Sequence, residues 1–474
     1  MNHIIADVGV FETRAAVLEG DRVEELHFER NKHKSKVNNV YCGKIVNIVQ
    51  GMGTIFVDIG IDKNVFLHES DLNKPLKHLS EGDSLLVQIT KDALGSKGAK
   101  ATAFLSFPGK YVVLLSEEKH IGISNRVVDE RERERLQNLA HELIEDTSYG
   151  IIMRTEAVHQ SDEIIETDFR YLQKQWDQVE SEKRWAEKGD VLFREEDLLT
   201  RLLRDVMNHN TESFLINDAK ETERVRGLCE VLMPEYLPRI RHSEPKENLF
   251  EKYEIEAQWK NAMKSKIVLK SGGSLVINAT EALTVIDVNS GKFTGSSSFE
   301  NTIFQINMEA VQEIARQLRL RDIGGIIVID FIDMKNAGNK EKLLRELNLA
   351  FSKDRQKTVV LGITKLGLVE VTRKKTREKV DSLFNEACSV CHGTGRVPSV
   401  YRHIYELENQ FRRLEKQPDI HALAISVHPD RWIELEKEGL SIQTMAEAYG
   451  LEATIIKDES RLNNDFQVKI YGKS

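Results

Sequence analysis

Two aspartates stand where apolar runs stop. Asp287 closes ALTVID and Asp330 closes IIVID. An aspartate after four or five apolar residues emerges at the edge of a sheet, at the mouth where α/β proteins bind ligands. Two such strands, one helix apart, can place both carboxylates on one cation. Hard oxygen donors, few in number and open to water, suit Mg²⁺ better than zinc or calcium. Mg²⁺ held this way neutralises charge developing on a phosphodiester and helps activate water. Asn289 lies two residues beyond Asp287 and shares its side if the strand continues. There its amide can hydrogen-bond a phosphate or a water. The competing reading makes each aspartate a cap or turn residue, and Asp333, Asp58 and Glu281 qualify as candidates on similar grounds.

A second constellation is Cys388-Ser-Val-Cys391-His-Gly-Thr-Gly395. A CxxC followed by glycines is half of a zinc site, the glycines freeing backbone to wrap the metal. Tetrahedral zinc needs two more ligands. Cys42 sits in a strand pattern and Cys229 in a helical one, so a second copy of Cys388 and Cys391 about a two-fold axis completes the set most simply. The expectation is a homodimer joined by one shared zinc, with pairing of dimers into tetramers open. The alternatives are a redox pair, disfavoured because no thioredoxin-like strand precedes it and it opens no helix, or two ordinary thiols. His392 is a further potential ligand. The third feature is a pair of aromatics, Phe56 and Phe66, with Lys97 in the glycine-rich GSKGAK stretch. Such residues can stack on bases and hold a phosphate. The alternative is that both phenylalanines are core.

The elements that must position these residues follow from periodicity. HIIADVGV, TRAAVLEG and RVEELHFER alternate as strands, with a turn at Glu19-Gly20-Asp21. VYCGKIVNIV, TIFVDIG, NVFLHES, SLLVQIT and AKATAFLSF are five short strands with glycine turns, the pattern of an OB-type barrel. Residues 119–200 combine the strand GIIMRT with long charged helices. SGGSLVINATEALTVIDVNSG reads as two strands joined near Asn278 to Glu281. A helix from Phe299 follows, with Ile303, Ile306, Ala310, Ile314 and Leu318 on one stripe, ending at Gly324-Gly325. GIIVIDFIDM is nearly continuous in apolar residues, which predicts a strand buried on both faces. The last 75 or so residues alternate helix and strand as a small α/β domain.

The 474 residues exceed one hydrophobic core, so several domains are expected. No run approaches the length of a membrane span, and the N-terminal residues lack the pattern of a secretory signal. Four cysteines make no disulfide framework and suit a reducing compartment, so the expected location is cytoplasmic. A net charge of −9 opposes nonspecific attraction to nucleic acid. It leaves open a site built on a bound cation and local basic stretches such as RNKHKSK and RKKTREK.

EALTVIDVNSG and EIARQLRLRDIGGIIVIDFIDM, together with MRTEA, SGGSLVI and CxxCxGxG, resemble the ribonuclease E/G family in order along essentially the whole chain. Ser389 replaces the proline that usually follows the first cysteine. The chain looks closest to the shorter, G-type members, since a long disordered scaffold is absent. The resemblance implies a multidomain α/β fold. An RNase H-like part (1–36 and 201–265) is split around an OB barrel (37–118) and a 5′-end sensor region (119–200). A DNase I-like catalytic part (266–385), a zinc-link (386–398) and a small C-terminal domain (399–474) follow. It also implies Mg²⁺ on Asp287 and Asp330 with help from Asn289, RNA contacts at Phe56, Phe66 and Lys97, and a 5′-monophosphate sensor at Arg154 and Thr155. The guanidinium fork and hydroxyl of that pair suit one phosphate. The expected activity is hydrolysis of single-stranded, A/U-rich RNA to 5′-phosphate and 3′-hydroxyl ends, in rRNA maturation and mRNA decay. The contrasting reading is a non-catalytic RNA-binding or ribosome-assembly scaffold, which would not need the Asp287, Asn289 and Asp330 set.

Overall fold

The computed structural model describes residues 2–472 except 33, 94–96, 117–118, 244–247, 281, 292–298, 376, 378, 392, 416, 418–419, 440 and 461–465. It divides into two compact units, Met1–Leu383 and Phe384–Ser474. Among the described residues no helix is long and apolar enough to cross a membrane.

The first unit opens with β1 (Asn2–Val8), β2 (Glu12–Glu19) and β3 (Arg22–Arg30), an antiparallel meander whose first turn residue after β2, Gly20, has φ +61°. The chain then builds a closed five-stranded OB-like barrel from β4 (Val40–Val49), β5 (Thr54–Asp58), β6 (Val65–His68), β7 (Ser84–Lys91) and β8 (Lys100–Thr102), with β4 pairing back onto β7. AKATAFLSF, expected to be one strand, divides. Its first residues form β8 of the barrel, whereas Ser106 to Pro108 form β9 of the next sheet. That sheet adds β10 (Val112–Leu115), β11 (Ile121–Ile123) and β12 (Gly150–Met153). Two amphipathic helices pack near it, α1 (Glu130–Ile144), capped by the Asp129 carboxylate, and α2 (Asp162–Glu182). β13 (Val191–Phe193) returns to the barrel edge beside β4. After α3 (Leu198–Asp205), β14 (Thr211–Ile216) runs parallel to β1, pairing Ile4 with Phe214, and after α4 (Ala219–Leu232), β15 (Ile240–His242) extends the same sheet. One sheet is therefore assembled from two distant segments, with the barrel and the β9–β12 sheet inserted between them.

Two short helices, α5 (Leu249–Lys252) and α6 (Ile255–Ala262), lead to a six-stranded mixed sheet. It comprises β16 (Lys266–Val268), β17 (Ser274–Ala279), β18 (Leu283–Asn289), β19 (Gly325–Asp330), β20 (Thr358–Ile363) and β21 (Val369–Arg373), in the order β16-β17-β18-β19-β21-β20. α7 (Phe299–Leu320) connects β18 to β19 and α8 (Ala337–Ser352) follows β19. Their buried stripes, including Ile306, Ile314, Leu318, Leu343 and Leu347, meet Leu275, Ile286, Ile327, Ile329 and Val371 of the sheet in one core. Both helices lie on one face, so β19 is buried on one side only. Ile327 and Ile329 are fully buried while Ile326 is 54 % exposed, contrary to the expectation from its apolar run. α7 also stops earlier than Gly324-Gly325 suggests. It ends at Leu320, and Asp322 takes the left-handed conformation (φ +51°) that breaks it. A short helix, α9 (Val380–Phe384), follows β21.

The second unit holds α10 (Val400–Leu414), α11 (Pro429–Lys437) and α12 (Ile442–Ala448). They accompany a three-stranded sheet in which β22 (Ile420–Val427) lies between β23 (Glu452–Lys457) and β24 (Phe466–Gly472). Its core joins Leu407 and Phe411 of α10 to Leu423, Ile425 and Val427 of β22.

Candidate active site and nucleic-acid interface

β18 and β19 run parallel and pair Asp287 with Asp330 directly. Along β18, Thr284, Ile286 and Val288 point into the helix-covered core, while Val285, Asp287 and Asn289 alternate onto the open face. Asp330 follows the buried Ile329 and is exposed. The two carboxylates therefore project side by side on one open face, Asp330 at the end of β19 and Asp287 two residues before the end of β18, on backbones about 4.8 Å apart. The Asn289 side-chain amide donates to Asp287 Oδ2 at 2.7 Å. The turn before β17 supports this arrangement. Gly272 and Gly273 approach the chain after β18 so closely that a Cβ on Gly291 would stand 2.3 Å from the Gly272 carbonyl. Glu309 of α7 accepts the backbone N–H groups of Lys270 and Ser271, fixing the turn.

The segment after Asp330 is pinned by a residue sequence reading missed. Asn307 of α7 is fully buried; its amide donates to the Ile332 carbonyl (2.8 Å) and its carbonyl accepts from Ile332 N–H (3.1 Å). The available signal was a lone asparagine within the apolar stripe of Ile303, Ile306 and Ala310.

Neither Asp287 nor Asp330 has a cationic side-chain partner among the described residues. Two adjacent like charges with no such partner favour a bound cation. Among the described residues no cluster of three His, Cys, Asp or Glu side chains gathers. Two carboxylates, oxygen donors only and open to water, fit Mg²⁺, which is held through one or two carboxylates and keeps several waters. Of the other acidic candidates, Asp58 belongs to the barrel. A hydrogen bond from Lys188 at 2.8 Å, with help from Gly60 N–H, holds its carboxyl below the usual range. Asp333 is exposed just past Asp330, and Glu281 lies outside the described residues.

On the barrel, Phe56 of β5 and Phe66 of β6 are direct cross-strand partners. Their neighbours Ile55, Val57, Val65 and Leu67 are fully buried, whereas both phenylalanines are part-exposed on the outer face. Phe66 also registers with Lys100, and Lys97 is exposed three residues before it. The strands thus set two aromatic rings side by side rather than in the core.

Arg154 and Thr155 follow β12. The Thr155 hydroxyl lies 2.9 Å from that of Ser124. The Arg154 guanidinium donates to the Gly109 carbonyl and to Asp205 Oδ1, the latter at 2.8 Å. Burial alone would raise the Asp205 pKa, but the guanidinium groups of Arg204 and Arg154 outweigh it and hold the carboxyl well below the usual range. Beneath this pair the buried Asp168 carboxylate of α2 accepts the N–H groups of Lys110, Tyr111 and Val112 at 2.7–3.1 Å. Arg154 N–H in turn donates to the Tyr111 carbonyl. Asp168→Ala would orphan three buried N–H groups. The expected loss is about 3 kcal/mol of stability, seen as a lower urea midpoint at unchanged slope; an unchanged midpoint would refute that role. Neither Asp205 nor Asp168 carries a sequence signal, since each meets its partners only through the fold.

In the second unit Cys388 is exposed and Cys391 part-exposed. The N–H of Cys391, then that of Val390, point at the Cys388 sulfur and lower its pKa below the ordinary thiol value. Thr394 ties the turn through N–H and hydroxyl donation to the Cys391 carbonyl at 2.9 and 2.7 Å. His392 lies outside the described residues.

The sequence profile of the ribonuclease E/G family matches residues 106–376. Ribonuclease G of Salmonella typhimurium and that of Escherichia coli are each 36% identical over 443 residues, covering 90% of this chain and 90% of theirs. Ribonuclease E of a Nostoc species is 35% identical over 395 residues, covering 80% of this chain and 57% of its own length. A profile match across more than half the chain, with relatives alike over nearly all of it, leads to one conclusion: the chain belongs to the ribonuclease E/G family and is an endoribonuclease.

Proposed function

We propose that this endoribonuclease hydrolyses single-stranded, A/U-rich RNA with Mg²⁺ at Asp287 and Asp330. The products would carry 5′-phosphate and 3′-hydroxyl ends, and the setting would be rRNA maturation and mRNA decay in the cytoplasm. The observation that carries this reading is the register pairing of Asp287 with Asp330 on the open face of a sheet. The two carboxylates would hold the cation, whose chemistry is charge neutralisation at the phosphate and activation of water. Asn289 already orients Asp287, and its second amide hydrogen can donate to a phosphate oxygen. Phe56 and Phe66 would stack on bases and Lys97 hold the backbone, a single-strand binding mode that tolerates sequence. Paired bases do not present their faces in this way, so the matching duplex should be cut far more slowly. Equal cleavage of single-stranded and duplex RNA of one sequence would refute the proposed barrel role.

In this reading residues 1–36 and 201–265 form an RNase H-like part, supported by the pairing of β1 with β14. Residues 37–118 form the binding barrel, 119–200 the 5′-end sensor region, 266–385 a DNase I-like catalytic part, 386–398 the zinc-link and 399–474 a small domain. Cys388 and Cys391 would share one zinc with the same pair of a second copy, making a homodimer.

Arg154 and Thr155 would read the RNA 5′ end. Asp205 orients the guanidinium without consuming all five of its donors, and a 5′-monophosphate would take those left. A triphosphate is bulkier and a hydroxyl carries no charge. RNA with a 5′-monophosphate should therefore be cut about tenfold faster than either, the worth of one charge-assisted hydrogen-bond pair. Arg154→Ala should remove most of that preference. Equal wild-type rates on all three ends would remove the sensor from the account.

A further inference from the structure

The hairpin between β20 and β21 lies at the same end of the sheet as the paired aspartates. β21 starts with Val369 beside Ile329, so residues 364–368 extend past the end of β19 toward Asp330. The contact is close: a Cβ on Gly367 would lie 3.6 Å from Asp333 Oδ1, three residues beyond Asp330. The tip is tightly built. Thr364 N–H donates to the Leu368 carbonyl at 2.8 Å and Gly367 N–H to the Thr364 carbonyl at 3.0 Å. The Thr364 hydroxyl oxygen accepts the N–H groups of Leu366 and Leu368, each at 3.2 Å. Gly367 takes φ +90°, a conformation that side chains rarely adopt.

This ordered turn holds two residues out in water. Lys365 is exposed and makes no ion pair among the described residues, and Leu366 is 85 % exposed. A large apolar side chain fixed in solvent by a hydrogen-bonded turn is not a frayed end. Asp333 lies against it, and Asp330 and Asp287 follow on β19 and β18, a row of negative charge that repels a polyanion except where cations offset it. A lysine on the rim supplies one such offset.

We propose that the Thr364–Leu368 tip forms one wall of the cleft at Asp287 and Asp330. Lys365 binds a phosphate next to the scissile one, and Leu366 packs on the face of an adjoining base. This rests on the active-site reading above. Both residues act by positioning the strand, so they set substrate binding and the choice of bond rather than the chemical step.

The test uses the full-length protein and a short single-stranded oligoribonucleotide with a 5′-monophosphate, in Mg²⁺. Lys365→Ala should raise KM about fivefold with kcat little changed, and flatten the slope of log affinity against log salt by about one. Lys365→Arg should restore both. Leu366→Ala should redistribute cleavage among neighbouring bonds. Wild-type KM, salt slope and cleavage pattern in both alanine variants, with Asp330→Asn inactive, would overturn the tip's role and leave the active site standing. Normal turnover by Asp330→Asn would instead remove the site on which the inference rests.

Discussion

Asp287→Asn and Asp330→Asn should each leave RNA bound but uncut, with turnover in Mg²⁺ lower by on the order of 10³-fold or more. The substitutions keep shape and remove charge. Asp287 is half-buried and Asp330 exposed, and neither supports the core, so folding should be unaffected. Asn at 287 would also still offer an oxygen to the Asn289 amide that now donates to Asp287 Oδ2. On the proposed reading, ground-state affinity would reside in the barrel and along the strand's path. The lost interaction grows as charge builds on the phosphate, so it falls on kcat rather than on binding. Turnover within tenfold of wild type by either variant would contradict the two-aspartate site.

The second large effect concerns assembly. Replacing Cys388 and Cys391 with serine, or removing zinc with a chelator, should convert dimers to monomers by light scattering. Metal analysis of the wild type should find about half a zinc per chain, as four thiolates per ion require. The other two cysteines cannot complete a site. Cys42 is buried in β4 with its thiol toward the Ala186 carbonyl. Cys229 is fully buried in α4, and burial pushes its thiol up to about 12, far from the thiolate that zinc needs. The Cys388 turn is the opposite case, exposed and with backbone N–H groups aimed at its sulfur. A stable dimer free of zinc would place the interface elsewhere and leave these two residues as ordinary thiols.

Local chemistry was legible in the sequence where a pattern is its own cause. IIVID announces a strand-end aspartate and ALTVID one near a strand end, β18 running on to Asn289, because an apolar run and a charged stop need no knowledge of neighbours. The face that remains open does depend on neighbours. GIIVID has the composition of a doubly covered strand, yet α7 and α8 share one side, leaving Ile326, Val285 and Val359 partly in solvent. The end of α7 differs from its sequence signal for a related reason. Gly324-Gly325 is a good stop signal, but Asp322 breaks the helix first, its carboxylate held by Arg373 and Arg377. AKATAFLSF kept its apolar pattern across a change of sheet. Partnerships between distant residues, Arg154 with Asp205 or Asn307 with Ile332, leave no local trace. Arg154 and Thr155 themselves stood out only through the family resemblance.

Mg²⁺-dependent hydrolysis at Asp287 and Asp330 is measured by cleavage of one 5′-monophosphorylated single-stranded RNA by the purified protein across a Mg²⁺ titration, with the product ends identified. No cleavage is expected without divalent cation, with saturable activity as Mg²⁺ is added and internal cuts that leave 5′-phosphate and 3′-hydroxyl ends. Undiminished cleavage in chelator, or products ending in 2′,3′-cyclic phosphate, would contradict hydrolysis at Asp287 and Asp330.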